Sequence, residues 1–185
     1  MFEVEKRSLL KNEQEFQKLK KYLDSNAEFL VVKEMVSFLF REPNYLRIRL
    51  IRGNDKAVIT IKEGEYTDAA RKEVEEEVNI NKLDKYIQRI TKEGYSSCSE
   101  VRTQRYSYRL DGLNVELNRI DYLGLIIEIE ALTDDESKVL DLEKKIWRLM
   151  KKLKLAELSG ETYQQMLNSM YSKTLKRISE HSFRI

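Results

Sequence analysis

The chain has 185 residues, 41% of them hydrophobic, enough for the core of a single domain spanning the whole sequence. Its 34 Lys and Arg nearly cancel 32 Asp and Glu for a net charge of +2, unlike the basic stripe of a nucleic-acid binder, and no apolar run of ~18 residues offers a membrane span. One cysteine, Cys98, and one histidine, His181, leave a disulfide framework, a zinc site and a Ser–His–Asp triad without their parts. Any catalysis must therefore run on carboxylates, cations and metal. The acidic, alternating start from Met1 to Glu5 is unlike a secretory signal peptide and, with the lone cysteine, predicts a cytoplasmic protein.

A first strand is expected from Phe2 to about Leu10. Asn12-Glu13-Gln14-Glu15 reads as a capping box opening a helix to about Asp24, with Phe16, Leu19 and Leu23 inward. Strands follow at about 28–41, 45–52, 56–63 and 71–79, the last two separated by the polar loop Glu63 to Asp68. A second helix starts near Asn81 and ends at Gly94. Three more strands are expected at 99–110, 113–120 and 123–132, with Asp111-Gly112 as a hairpin turn between the first two. The rest, about 134–180, reads as helical. One stripe there is Leu140, Ile146, Leu149, Met150 and Leu153, and a second runs from Met166 to Leu175. Eight strands before two helices, with two helices inserted, make an α+β chain whose strands are able to close into a barrel.

Residues two apart on a strand share a face. Glu3, Glu5 and Arg7 therefore oppose Val4 and Lys6, Arg47 and Arg49 oppose Leu46 and Ile48, and Thr60 and Lys62 oppose Ile59 and Ile61. Arg71, Glu73, Glu75 and Glu77 form one charged face, Glu116 and Asn118 another, and Glu128 and Glu130 a last one against Ile127 and Ile129. A sheet with one wet face also alternates, but such faces mix Thr, Ser, Gln and Lys. Repeated Glu-x-Glu and Arg-x-Arg place like charges ~7 Å apart, which repel and invite a compensating ligand. Hard cations such as Mg²⁺ and Mn²⁺ take carboxylate and phosphate oxygens, and arginine forks grip a phosphate chain. The charges thus predict a barrel interior that binds divalent metal and a triphosphate.

Glu3-Val4-Glu5-Lys6-Arg7 resembles the E-x-E-x-K signature of the triphosphate tunnel metalloenzymes, or CYTH proteins, which include class IV adenylyl cyclases, thiamine triphosphatases and inorganic triphosphatases. Further likenesses follow in order: Leu46-Arg47-Ile48-Arg49, Thr60-Ile61-Lys62, Arg71 to Glu75, the basic cluster Arg102 to Arg105, Leu123 to Glu130, and Ser159 to Tyr163. The resemblance implies an eight-stranded antiparallel closed β-barrel, with flanking helices and a helical C-terminus. It implies Glu3, Glu5, Glu128 and Glu130 as ligands of Mg²⁺ or Mn²⁺, with Glu75, Glu116 and Asn118 as further candidates. Arg47, Arg49, Lys62, Arg71, Arg102 and Arg105 would bind the triphosphate, and Glu5, Arg7 and Lys62 would stand nearest the chemistry.

Two positions depart from the family pattern. Arg7 stands where the family has lysine, and arginine stays protonated, so it is no general base. Asn118 stands where the family has an acid, and Glu116 on the same face offers a replacement carboxylate. The expected activity is metal-dependent hydrolysis of a triphosphate, inorganic or attached to nucleoside or thiamine. The alternatives are adenylyl cyclisation of ATP and triphosphate binding without catalysis. Trp147, Tyr163 and Tyr171 are expected to pack in the core, Cys98 to be inert, and the basic tail from Lys173 to lie on the surface or in a homodimer contact.

Overall fold

The computed structural model describes residues 2–63 and 71–184 and, for residues 62, 63 and 71–73, the backbone alone. From Gly64 on, the polar loop expected before the fifth strand falls outside them. The elements are β1 (Phe2–Leu9), α1 (Glu13–Asn26), β2 (Glu28–Phe40), β3 (Leu46–Ile51), β4 (Lys56–Glu63), β5 (Arg71–Asn79), α2 (Leu83–Lys92), β6 (Ser97–Leu110), β7 (Leu113–Ile120), β8 (Gly124–Thr133), α3 (Val139–Lys152), α4 (Gly160–Thr174) and β9 (Leu175–Arg177). The short β9 is an addition to the expected set. It pairs with the start of β6 at Ser97 to Ser99, where the helical stripe was expected to run on to Leu175.

Pairing runs β2-β3-β4-β5-β1-β8-β7-β6, and β6 pairs again with β2, so the sheet comes round on itself. Every pairing is antiparallel. β1 meets β8 along its whole length, from Phe2 opposite Thr133 to Leu9 opposite Ile126, and among the described residues it also meets β5, at Phe2 and Glu3. The closed barrel is met only in part: this is an α+β fold whose antiparallel sheet curls into a hollow.

Local chemistry explains the ends of the elements. Asn12 Oδ1 accepts from the Glu15 amide at 2.9 Å, and the Glu15 carboxylate accepts from the Lys11 amide at 2.7 Å, so α1 starts where the capping pattern places it. Asp111 and Gly112 both have positive φ, 52° and 72°, the conformation of a two-residue hairpin turn between Leu110 and Leu113.

The convex face is apolar and carries three of the helices. Phe16, Leu19 and Leu23 of α1 and Ile146, Leu149 and Met150 of α3 bury against Val4, Val115, Leu117 and Ile129. Leu83, Ile87 and Ile90 of α2 cover Val36, Phe38, Ile48 and Ile59. Each such side chain contributes about 1.5–3 kcal/mol by leaving water. Helix α4 does something different. Its Tyr163, Leu167 and Met170 pack on Leu39, Val101 and Leu123, and those three also line the hollow, so α4 covers one end of it.

Leu140 corrects the expected stripe on α3, being 64% exposed. At 100° per residue it sits roughly 130° from the centre of the face formed by Ile146, Leu149, Met150 and Leu153. Val139 and Leu142 occupy that face instead. No helix among the described residues is long and apolar enough to cross a membrane.

Candidate metal and phosphate site

The inward face of the hollow holds a cavity of about 280 Å³. That is near the small end of ligand pockets, roughly 300–1,000 Å³, and suits a small polar molecule. Strand register decides which charges meet there. β1 sets Glu5 opposite Glu130 and Arg7 opposite Glu128 on β8, and β7 sets Glu116 opposite Glu128. The remote Glu-x-Glu pairs of the sequence thus become one acidic patch.

Glu3, Glu5 and Glu130 each offer a carboxylate oxygen within 4.8 Å of the other two. Burial, and then the charges of Glu116, Glu3 and Glu5, push the Glu130 carboxyl up to about 8. Crowded hard oxygens that resist ionising together are a donor set that a dication relieves, so these three residues fit Mg²⁺ or Mn²⁺.

Glu128 is held differently. Its Oε1 accepts from Arg7 Nε at 2.9 Å, and its Oε2 accepts from Arg105 at 3.1 Å and from Asn118 Nδ2 at 3.0 Å. Burial alone would raise its pKa, but the charges of Arg7 and Arg105 outweigh that and leave it below the usual value. Arg105 also pairs with Glu116, whose carboxyl is raised by burial in spite of that partner. Arg7 pairs with Glu5 as well, and its guanidinium lies 4.4 Å from the centre of the Tyr163 ring.

The basic wall stands on β3. Arg47 donates to Thr60 Oγ1 at 3.1 Å, and Thr60 in turn donates to Glu75 Oε1 at 3.0 Å. Arg49 lines the cavity two residues further on, and its Nε is buried with no hydrogen-bond partner among the described residues. Burial, followed by the like charges of Arg47 and Arg105, lowers its pKa to about 9. Burial first, and the neighbouring guanidinium groups second, thus disfavour the charge of Arg49.

Several expected roles change. Arg102 is not in the cavity: its side chain is 70% exposed beside Glu100. Arg105 points inward, and positions three apart on a strand cannot share a face. Arg105, expected in the phosphate grip, lines the cavity beside Glu116, Glu128 and Asn118. The Asn118 carbonyl oxygen, expected as a metal ligand, accepts from Arg105 Nε at 2.8 Å. Glu75 lies at the rim with Thr60 and Arg47, apart from the acidic trio. The side chains of Lys62 and Arg71 are outside the described residues.

The cavity also gains residues that the sequence pattern missed. Lys33, opposite Arg105 on the β2–β6 pair, lines it, as do Tyr45 and Tyr163. Tyr163 does pack in the core as expected, yet the same ring faces Arg7. Helical spacing signals burial but cannot say what lies across the gap.

The sequence model of the CYTH domain matches residues 1–163. The chain belongs to the CYTH family. The CYTH match takes in β1 to β8 and reaches Tyr163 at the start of α4, and so spans both the acidic and the basic sectors. Solved structures share the fold. A protein from Pyrococcus horikoshii OT3 (PH1819) is 22% identical with a TM-score of 0.74, over 90% of this chain and 98% of its own. A conserved protein from Pyrococcus furiosus is 26% identical with a TM-score of 0.66, over 83% and 91%. The Hippeastrum protein HpAC1, an adenylyl cyclase candidate described as having a dominant triphosphatase activity, is 21% identical with a TM-score of 0.61, over 98% and 99%. No curated protein sequence matches the chain.

Proposed function

We propose that this CYTH protein is a cytoplasmic, metal-dependent triphosphatase acting on an inorganic, nucleoside or thiamine triphosphate. The observation that carries the proposal is the facing of unlike sectors across one cavity: Arg49, its Nε unpartnered among the described residues, opposite the crowded carboxylates of Glu3, Glu5 and Glu130. A triphosphate with a bound dication supplies each wall with what it lacks. A divalent ion held by Glu3, Glu5 and Glu130 would bring positive charge to the phosphoryl oxygens.

The chain's own residues do the rest. Arg47 and Arg49 align the phosphate chain, and Lys33 stands at the same cavity to share the grip. Arg7 keeps its proton at all working pH values, so its part is electrostatic. The Tyr163 hydroxyl, raised to about 12 chiefly by burial, stays protonated and able to donate. Phosphate release from tripolyphosphate and from ATP, with Mg²⁺ or Mn²⁺, tests the proposal. Turnover no greater than that of Glu5→Gln would overturn it.

A second reading, adenylyl cyclisation, is favoured by the apolar end of the cavity, where Leu39, Val101, Leu123 and Leu167 could meet a nucleoside. Cyclic AMP and pyrophosphate as products, in place of phosphate, would decide for it. Tight tripolyphosphate binding without turnover would instead mark a binding-only protein.

A further inference from the structure

The Arg7 guanidinium lies between two carboxylates that face each other across the β1–β8 pair. It donates from Nε to Glu128 at 2.9 Å and pairs through Nη2 with Glu5. Glu5 belongs as well to the trio with Glu3 and Glu130. Glu5 is thus shared, with the trio on one side and Arg7 on the other. In a two-metal site the ions lie ~4 Å apart, and Glu5 would be the carboxylate shared between them. What occupies the second position here is a side chain.

We propose that Arg7 is a built-in cation that takes the place of a second metal ion, so that the tunnel binds one divalent ion per chain, at Glu3, Glu5 and Glu130. The inference rests on the metal-dependent reading above and specifies its stoichiometry.

Three observations carry it. First, neither oxygen of Glu128 lacks a donor: Arg7 serves Oε1, and Arg105 and Asn118 serve Oε2. A metal entering there would have to displace two buried guanidinium groups and leave both without their counter-charge, which costs far more than the exchange of waters at an open site. Second, Arg7 is fixed from behind by the Tyr163 ring, 4.4 Å from its guanidinium carbon, and its own side chain is only 10% exposed. Third, the planar fork of arginine reaches two carboxylates at once, which the point charge of a lysine ammonium does not do with fixed geometry. A guanidinium carries one positive charge where a dication carries two, so the acidic patch keeps the negative charge that draws one ion to the trio.

Counting bound Mn²⁺ on the full-length protein tests this, by the loss of the free-ion paramagnetic resonance signal and by titration calorimetry, without any assay of turnover. One Mn²⁺ per chain is expected for the wild type, and none for Glu130→Gln at the same concentrations. Arg7→Gln is expected to bind two, the second at least tenfold more weakly. Two ions on the wild type would overturn the inference while leaving the metal-dependent reading intact. A single ion on both wild type and Arg7→Gln would show that Arg7 is not what excludes the second, and would overturn it as well. No bound Mn²⁺ on the wild type, with or without methylene-bridged triphosphate, would overturn both readings. The wild-type count holds even if the Arg7 variant fails to fold.

Discussion

Asn118 donates to Oε2 of Glu128 at 3.0 Å, while Arg7 donates to Oε1 of the same carboxylate at 2.9 Å. Both positions depart from the signature that the sequence resembles, and they converge on one side chain. An acid at 118 would stand beside a buried carboxylate and repel it, whereas the neutral amide supplies a proton. Arginine at 7 supplies a fork. The two departures therefore act together on Glu128, which no spacing rule along the chain could reveal.

Glu128 should consequently be a point of structural weakness when altered. Glu128→Gln removes the charge that both Arg7 and Arg105 neutralise, and leaves two guanidinium groups in a confined acidic–basic network with less compensation. Breaking a buried ion pair in this way costs about 3–5 kcal/mol. Urea unfolding should show a loss near that size, with the slope unchanged. A loss below about 1 kcal/mol would mean that the network reorganises around the amide.

Arg49 should behave in the opposite sense. Its lowered pKa says that the folded protein disfavours its charge, burial being the first cause. Arg49→Met should raise thermal stability in the absence of ligand, by an amount of order 1 kcal/mol after solvent screening of a half-buried group. The same substitution should weaken tripolyphosphate binding by about 10²-fold, as expected for one lost charge-assisted contact. Parallel thermal and calorimetric titrations check both arms, and a destabilised variant with intact affinity would contradict the assignment.

Glu130 sets the pH dependence of the ion-free protein. Its folded pKa of about 8 lies above the ordinary value of 4.5, so its proton is bound more tightly in the folded state. That contribution is fully present below about pH 4.5, declines as pH rises between 4.5 and 8, and is gone above 8. Stability of the wild type should fall across this window relative to Glu130→Gln, whose amide does not titrate. Saturating Mn²⁺ should flatten the difference in the wild type. Equal pH profiles for the two proteins without metal would refute this.

The two faces of α3 offer a test of the packing. Leu140 is 64% exposed, so Leu140→Lys should change stability by no more than ~0.5 kcal/mol. Leu149 is buried against the α1 and β-sheet core, so Leu149→Ala should cost about 2–5 kcal/mol. Chemical unfolding of the two variants decides it.

Much of this protein was legible in the sequence because the information is local. Alternation along a strand depends only on the period of two, so Glu3, Glu5, Arg47, Arg49 and Glu130 could be assigned to an ionic face before any partner strand was known, and that face does line the cavity. Caps and turns are equally local, which is why Asn12 and Asp111-Gly112 stand where the residues put them. Partnership is a different matter. Register across strands distant in sequence set Arg105 among Glu116, Glu128 and Asn118. The same alternation that turned Arg105 inward sent Arg102 to solvent. The return of α4 laid Tyr163 against Arg7 across the end of the hollow. The chain by itself determined which residues carry charge and which way each strand turns them. The tertiary structure decided which charges neutralise each other and which remain for a ligand, because Coulomb and hydrogen-bond energies depend on distances that only the closing of the sheet creates.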